Sequence, residues 1–337
     1  MIYPEQEKPM KSLIEKIIAI PGPSGYEKQI RQAILSEVEE FSDEINIDAL
    51  GNLIVRKGRA DQKLMLAAHM DEIGVMVTHV DDDGFARFTN IGGVFPAYCL
   101  GGRVRFLDGT MGVIGTERIK DSSQVPPLEK MFIDLGAQTR EDCPVQVGDV
   151  AVFDRPFNQL GNRFVSKAMD DRISVVVLIE ALRQLKEPRF ESYFVFTAQE
   201  EVGVRGATTA AYQIAPDYGL AIDVTRTGDT PKGITMDVSL GKGPAIKVKD
   251  SGIVVDPRIV KWMVETAKVA EIPYQLEVLE RGTTDARAIQ LSRAGVPSGC
   301  ISIPCRYVHS PSEMVDLEDV KNAIQLVIAL LGNPVHF

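Results

Sequence analysis

Two histidines of this chain follow short apolar runs, where a side chain can project from the end of a strand into a cleft. His69 lies in AAHMDEIG, and His309 lies in RYVHSPSE. A single histidine at the end of a strand is usually structural, so neither residue defines a site by itself. His79 and His336 stand outside acidic motifs, and we do not expect them to bind a metal.

Acidic residues also stand where apolar runs stop. Asp71 follows His69 by two positions, and Asp170 lies in KAMDDR. Glu200 and Glu201 follow the apolar run YFVFTAQ, and Asp223 follows the apolar run GLAI. Open α/β sheets bind ligands outside the carboxyl ends of their strands. Carboxylates gathered at one such edge repel each other unless a cation is present. The pattern therefore predicts a metal site.

Two histidines and three carboxylates can supply two metal sites if one carboxylate is shared. Zn²⁺ accepts both imidazole nitrogen and carboxylate oxygen, and a pair of divalent ions can polarise a carbonyl and activate water. One residue of the Glu200–Glu201 pair could bind metal while the other takes a proton from water. Asp71 could fix the tautomer of His69. These ligands suit Zn²⁺ and Co²⁺ as well as Mn²⁺.

Each acidic residue also has a structural interpretation. Asp170 could cap the helix that follows it, with or without a metal role, because a helix N-terminus favours an anion. Asp71 could be a turn or cap residue. Asp171 is expected to pair with Arg172 or with a backbone amide. The competing interpretation of the whole set is an acidic sheet edge with unrelated charges.

The flanking elements predict how these side chains are positioned. Leu64 to Ala68 is a short apolar run typical of a buried strand that ends at His69. Ser24 could cap a helix from Glu27 to about Glu40. Beyond about residue 164, helical patterns such as ISVVVLIEALRQL alternate with strand patterns such as YFVFTAQ and GLAIDVT. Alternation of this kind indicates an α/β sheet flanked by helices.

A different pattern interrupts this sheet. Between residues 74 and about 160 the segments are short, rich in Val, Phe and Gly, and separated by turns such as DDDG. Such spacing is typical of a small β-barrel or sandwich. We therefore expect a discontinuous catalytic domain of residues 1–73 and 165–337, with a barrel-like β domain of residues 74–164 inserted.

Composition narrows the function class. The chain has 337 residues, 37 Lys plus Arg, 47 Asp plus Glu and a formal charge of −10. An acidic surface argues against a nucleic-acid or anionic-membrane partner. Only four cysteines occur, no apolar run approaches the ~18 residues of a membrane span, and the N-terminal region shows no apolar leader pattern. These features predict a cytoplasmic protein.

Five motifs in order resemble one family. AHMDEIG, KAMDDR, FTAQEEVGVRGA, AIDVT and RYVHSPSE are similar to those of the tetrahedral dodecameric metallo-aminopeptidases. That family includes glutamyl and deblocking aminopeptidases, and some members carry an older endoglucanase label. The resemblance implies that His69, Asp170 and Asp223 bind one ion. It also implies that Asp170, Glu201 and His309 bind the other, so that Asp170 bridges.

The resemblance implies further properties. Glu200 would be the general base, Asp71 would support His69, and a cis peptide would follow Asp170. The inserted β domain would make dimer contacts, and twelve subunits would enclose a chamber that admits peptides. The loop RGTTDAR departs from the family by being poorer in glycine. Its Arg281 and Arg287 could line the substrate pocket or face solvent.

The sequence thus predicts an aminopeptidase that uses two divalent ions, Zn²⁺ or Co²⁺, to hydrolyse the N-terminal residue of peptides. A related metal-dependent deacylase or carboxypeptidase is the alternative within the same class. A glycosidase is a second alternative, although glycosidases usually rely on two carboxylates and no metal. A non-catalytic protein that retains a relic metal site is the third.

Overall fold

The computed structural model describes residues 4–121 and 123–335, and His336 lies outside these ranges. Eight α-helices occur within the described residues: α1 (Pro4–Ala19), α2 (Lys28–Val38), α3 (Pro96–Cys99), α4 (Met169–Gln184), α5 (Arg205–Ile214), α6 (Pro257–Val269), α7 (Asp285–Gln290) and α8 (Leu317–Leu331). None of these helices combines the length and the apolar character needed to cross a membrane.

Eleven strands of the described chain form one mixed sheet. They are β1 (Glu44–Ile47), β2 (Leu53–Lys57), β3 (Lys63–His69), β10 (Asn158–Leu160), β11 (Arg163–Ser166), β12 (Glu191–Thr197), β13 (Tyr218–Thr225), β14 (Ala245–Lys249), β15 (Gln275–Val278), β16 (Ser298–Arg306) and β17 (Glu313–Asp316). Their order is β1-β2-β12-β3-β13-β16-β17-β11-β10, and β14 pairs with β15 and β16.

The centre of the sheet is parallel and aligns the strand ends that carry the site. β12 and β13 both run parallel to β3, with Thr197 opposite His69. β13 also runs parallel to β16, with Asp223 opposite Ser302. Carboxyl ends of parallel strands meet at one edge of a sheet, so β3, β12, β13 and β16 deliver their following residues to one place.

Helices cover both faces of the sheet because successive side chains of a strand point in opposite directions. Leu64, Leu66 and Ala68 of β3 join the apolar core that contains α1, α2, α4, α6 and α8. Met65 and Ala67 join a second core with residues of α5 and α7. A strand buried on both faces has to be apolar throughout, which explains the continuous apolar run before His69.

The remaining six strands close an antiparallel barrel with its own apolar core. They are β4 (Gly74–Val80), β5 (Ala86–Ile91), β6 (Arg103–Phe106), β7 (Met111–Thr116), β8 (Met131–Asp134) and β9 (Val150–Phe153). The fold class predicted from the sequence, an α/β sheet flanked by helices with a small barrel, is confirmed. The domain boundaries at residues 73/74 and 164/165 stay a prediction.

Candidate metal centre and catalytic site

His69 ends β3 as a buried side chain whose orientation is fixed from behind. Its Nδ1 lies 3.0 Å from the backbone carbonyl oxygen of Asp71 and 3.5 Å from the Asp71 carboxylate. An Nδ1–H that donates to this carbonyl leaves the Nε2 lone pair free for a ligand. The shorter of the two contacts between Asp71 and His69 is thus made by the Asp71 backbone.

Asp170 lies between the two histidines. Its Oδ1 is 3.0 Å from Nε2 of His69, and its Oδ2 is 3.2 Å from Nε2 of His309. The residue has non-helical backbone angles at the start of α4, and its peptide bond to Asp171 is cis. Ala168 holds the cap position of α4, and no backbone N–H of a described residue donates to the Asp170 carboxylate, so the helix-cap interpretation of Asp170 is wrong. Burial raises the pKa of Asp170, but its hydrogen bonds with His309 and His69 bring that pKa below the ordinary value.

Glu201 joins this pair of histidines from the segment after β12. Its Oε1 lies 3.3 Å from Nε2 of His309. The candidate ligand atoms of His69, Asp170 and Glu201 lie within 4.8 Å of one another. Oε1 of Glu201 is buried, yet it accepts no hydrogen bond from any described residue. A buried carboxylate oxygen without a donor is costly unless a cation faces it.

Asp223 forms a second donor group with His69 and Asp171, whose ligand atoms also lie within 4.8 Å of one another. β13 continues to Thr225, so Asp223 lies inside this strand and not after its end. Oδ2 of Asp171 accepts a hydrogen bond from the backbone N–H of His69, which agrees with the backbone-amide interpretation. Burial raises the pKa of both Asp171 and Asp223. Repulsion by Asp223 raises the pKa of Asp171 further, and repulsion by Asp170 raises that of Asp223.

The Asp71 carboxylate holds the Glu200–Glu201 pair in place. It accepts hydrogen bonds from the backbone N–H groups of Glu200 at 3.0 Å and Glu201 at 3.2 Å. The hydroxyl of Ser24 donates a third hydrogen bond at 2.6 Å. The prediction that Ser24 caps α2 is therefore wrong, because Glu27 occupies the cap position without a side-chain bond.

Glu200 lines the pocket but belongs to neither donor group. Burial raises the pKa of its carboxyl well above the ordinary value, and nearby carboxylates, with Asp223 first among them, raise it further. A carboxyl whose pKa lies above its ordinary value holds a proton more readily, which suits proton exchange during a reaction. The two glutamates thus differ in their surroundings although they are neighbours in sequence.

Glu313 is a site residue that sequence reasoning missed. This buried carboxylate accepts a hydrogen bond from the backbone N–H of His309 at 2.7 Å and another from that of Asp170 at 3.0 Å. It therefore ties together the backbones of two candidate ligands. The glutamate in HSPSEM was the only available signal, and nothing in its spacing indicated these partners.

A glycine pair was also missed. Gly92 and Gly93 follow β5, so they link the barrel to the site. A Cβ atom placed on Gly93 would overlap the imidazole ring of His309, and one on Gly92 would press against Glu201. Gly92 has a φ of 72° in addition. Close approach of the backbone to two candidate ligands is the reason that both positions are glycine.

The pocket around these groups holds about 450 Å³. Arg281 and Arg287 of the RGTTDAR loop both line it, which favours the pocket interpretation of this loop. Arg226 is a third lining arginine. All three are exposed, and no salt bridge is found for them among the described residues. The pocket is thus lined both by carboxylates and by exposed, positively charged arginine side chains.

The donor set fits divalent cations. Five carboxylates and two imidazoles converge here, so the ionised groups together carry excess negative charge. They are Asp170, Asp171, Glu200, Glu201 and Asp223, with His69 and His309. Cations would relieve this repulsion and would contact the Glu201 oxygen that accepts no hydrogen bond from a described residue. Imidazole and carboxylate ligands together are typical of Zn²⁺ and neighbouring transition metals.

Known proteins share this fold and sequence along nearly the whole chain. A putative aminopeptidase of Acetivibrio thermocellus is 48% identical over 325 residues, which cover 96% of this chain and 98% of that protein. A lysyl aminopeptidase of Pyrococcus furiosus is 39% identical over 334 residues, which cover 95% of this chain and 96% of that protein. The class defined by the fold and these relatives is that of the aminopeptidases, which are hydrolases.

Several solved structures also resemble this chain over nearly its whole length. An aminopeptidase from Desulfurococcus kamchatkensis has a TM-score of 0.94 at 43% identity, covering 97% of this chain and 96% of its own. A Pyrococcus horikoshii TET1 peptidase has a TM-score of 0.88 at 34% identity, covering 96% and 100%. A Thermotoga maritima structure described as an endoglucanase has a TM-score of 0.80 at 34% identity, covering 95% of this chain and 96% of its own. The family described as M42 glutamyl aminopeptidase matches residues 51–326, and the chain belongs to it.

Proposed function

We propose that the chain is a metal-dependent aminopeptidase that removes the N-terminal residue of peptides with two divalent cations per subunit. The observation that carries this proposal is the position of Asp170, with one carboxylate oxygen facing His69 and the other facing His309. A carboxylate placed between two imidazoles could act as the bridging ligand of a dinuclear site, in which two ions lie close together.

The residues present could hold both ions. His69, Asp170 and Asp223 would bind one ion, and Asp170, Glu201 and His309 would bind the other. When bound, such ions polarise the scissile carbonyl and lower the pKa of a water molecule. Zn²⁺ and Co²⁺ are the candidates. The proximity of Asp171 to Asp223 and His69 supports an acidic surrounding for the first ion.

Glu200 is the proposed general base. Its raised pKa and its place outside both donor groups support a role in proton transfer, whereas the contact between Glu201 and His309 supports a ligand role for Glu201. Glu200 would take a proton from the attacking water and deliver it to the leaving amine. Asp71 would keep Glu200 in position through the backbone N–H group that it binds.

Self-association is part of the proposal. The Pyrococcus horikoshii relative can assemble into a tetrahedron or a large octahedral shell. The barrel of this chain exposes Leu100, Met111, Val113 and Val147, which supports its use in subunit contacts. We propose a cytoplasmic dodecamer built from dimers. Light scattering on the purified protein measures its mass directly.

The experiment that tests the function combines chelation with one substitution. Glu200→Gln should reduce turnover of aminoacyl-p-nitroanilides at least a hundredfold while metal content stays at two ions per subunit. Glu141→Gln, an exposed residue of the barrel, is the matched control. Metal-free protein should be inactive and should recover with Co²⁺ or Zn²⁺. Equal activity of Glu200→Gln would contradict the base assignment, and full activity of verified metal-free protein would contradict the mechanism.

The same samples separate the remaining alternatives. Hydrolysis of carboxymethylcellulose without metal, and none of peptides, would favour a glycosidase. Release of C-terminal residues or of N-acyl groups would favour a carboxypeptidase or deacylase. Absence of hydrolysis over a broad peptide library would favour a non-catalytic protein.

A further inference from the structure

A second cavity of about 450 Å³ adjoins the metal pocket. Phe95, Arg226 and Val308 line both cavities, so the second one opens directly beside the candidate ligands. The ring of Phe95 lies 6.2 Å from the ring of His309, centroid to centroid. We refer to this second cavity as the Tyr98 groove, after a residue that lines it and not the metal pocket.

The Tyr98 groove is apolar and solvent-exposed. Phe95, Tyr98, Ile234 and Tyr307 are each between 42% and 48% exposed, and buried Cys305 forms part of its lining. Exposed apolar groups clustered in a concave surface beside a reaction site are a common feature of ligand-binding sites. No described carboxylate lines the groove.

We propose that the Tyr98 groove binds the substrate residue that follows the scissile bond, and that it selects an apolar or aromatic side chain there. The inference rests on the proposed function. An aminopeptidase holds one residue on the carbonyl side of the scissile bond, so every longer substrate extends from the amine side. A peptide advances at most about 3.3–3.6 Å per residue. The 6.2 Å between the rings of His309 and Phe95 is less than the advance of two residues, so the groove lies within reach of the side chain that follows the bond.

The charges of the two cavities support this placement. The metal pocket is lined by carboxylates and by Arg281 and Arg287, and it suits polar groups. The Tyr98 groove carries charge only in Arg226 and Arg306, and Arg306 is paired with Asp229. An apolar side chain loses no hydrogen bond on entering such a groove, whereas a charged one does.

Two sets of tripeptides test the proposal, each with glycine in third place. The first keeps one N-terminal residue, chosen as the best of a p-nitroanilide panel, and varies the second residue between Phe and Ala. The second set varies the N-terminal residue and keeps the residue in second place constant. With the metal-loaded enzyme, Phe should exceed Ala in kcat/KM about tenfold at the second position. The double variant Tyr98→Ala with Ile234→Ser should bring this ratio close to one. Leu160→Ser, an exposed apolar residue of β10, should keep the wild-type ratio.

Each other result overturns the proposal. An unchanged Phe-to-Ala ratio of kcat/KM in the double variant would show that the groove does not select the side chain of the second residue. A change confined to the N-terminal residue series would place the first residue in the groove. A changed molecular mass in light scattering with an unchanged ratio would make the groove a contact with a second copy of the chain. An enzyme that cleaves no peptide contradicts the proposed function as well, whereas cleavage without second-residue selection contradicts only this inference.

Discussion

Glu313 lies beneath Asp170, and its Oε2 accepts a hydrogen bond from the Asp170 backbone N–H at 3.0 Å. The other oxygen accepts one from the backbone N–H of His309 at 2.7 Å. One buried carboxylate therefore fixes the backbone of the proposed bridging ligand relative to that of a histidine ligand. Glu313 begins β17 and Asp170 lies in α4, so the fold brings together two residues that are 143 positions apart in the sequence.

Glu313→Gln should lower the affinity of the protein for metal. The amide has one oxygen, so either Asp170 or His309 loses its acceptor, and an unsatisfied buried donor costs about 1–3 kcal/mol. We expect metal retention after dialysis to fall and activity to fall with it. Elemental analysis and thermal unfolding with and without Co²⁺ measure this. Glu141→Gln is the control, and wild-type metal retention in Glu313→Gln would contradict the expected role.

Gly93→Ala should displace His309. The added Cβ would overlap the imidazole, and a shift of the ring away from it would disturb the contacts of Nε2 with Asp170 and Glu201. We expect activity to fall at least tenfold, with unfolding temperature little changed after metal removal. The measurements are kcat/KM and metal content per subunit. Gly332→Ala is the control, because its Cβ would meet only ordinary contacts at the end of α8. Equal losses in both variants would indicate a general effect of alanine.

The sequence predicted the residues whose place follows from strand periodicity. The apolar run before His69 indicated a buried strand, and parallel strand ends gather at one edge whatever the details of packing. Glu313, Gly93 and Ser24 could not be found in this way, because their roles depend on tertiary partners. Ser24 has the spacing of a helix cap, yet its hydroxyl bonds to Asp71, which lies 47 positions along the chain.

Arg287 should favour substrates with an acidic side chain. With Arg281 and Arg226 it gives the pocket wall positive charge. Arg287→Glu should lower kcat/KM for an acidic N-terminal residue about fivefold and raise that for a basic one, since exposed charge pairs contribute about 1 kcal/mol or less. Aminoacyl-p-nitroanilides of Glu and Lys measure this at low and high salt. Salt should shrink the difference. Arg140→Glu, on the barrel, is the control, and an unchanged Glu-to-Lys ratio in Arg287→Glu would assign Arg287 to solvent.

The Asp229–Arg306 pair should make stability depend on pH in acid. Burial raises the pKa of Asp229, but hydrogen bonds, first that from Arg306, bring it down from 3.8 to about 2. The two guanidinium nitrogens lie 2.9 and 2.7 Å from the carboxylate oxygens. Because the folded pKa is below the unfolded one, the pair stabilises the fold fully above about pH 4. That contribution disappears as the pH falls through about 2.

The measurement compares Arg306→Met with the wild-type protein in urea at pH 6 and at the lowest pH where both still fold. Above pH 4 the variant should be less stable by about 1 kcal/mol, since the pair is partly exposed. Toward pH 2 the difference should vanish, because protonated Asp229 no longer attracts the guanidinium. Arg140→Met, which removes an exposed pair with Asp82, should show little difference at either pH. A deficit in Arg306→Met that stays constant with pH would mean that Arg306 acts through packing and not through charge.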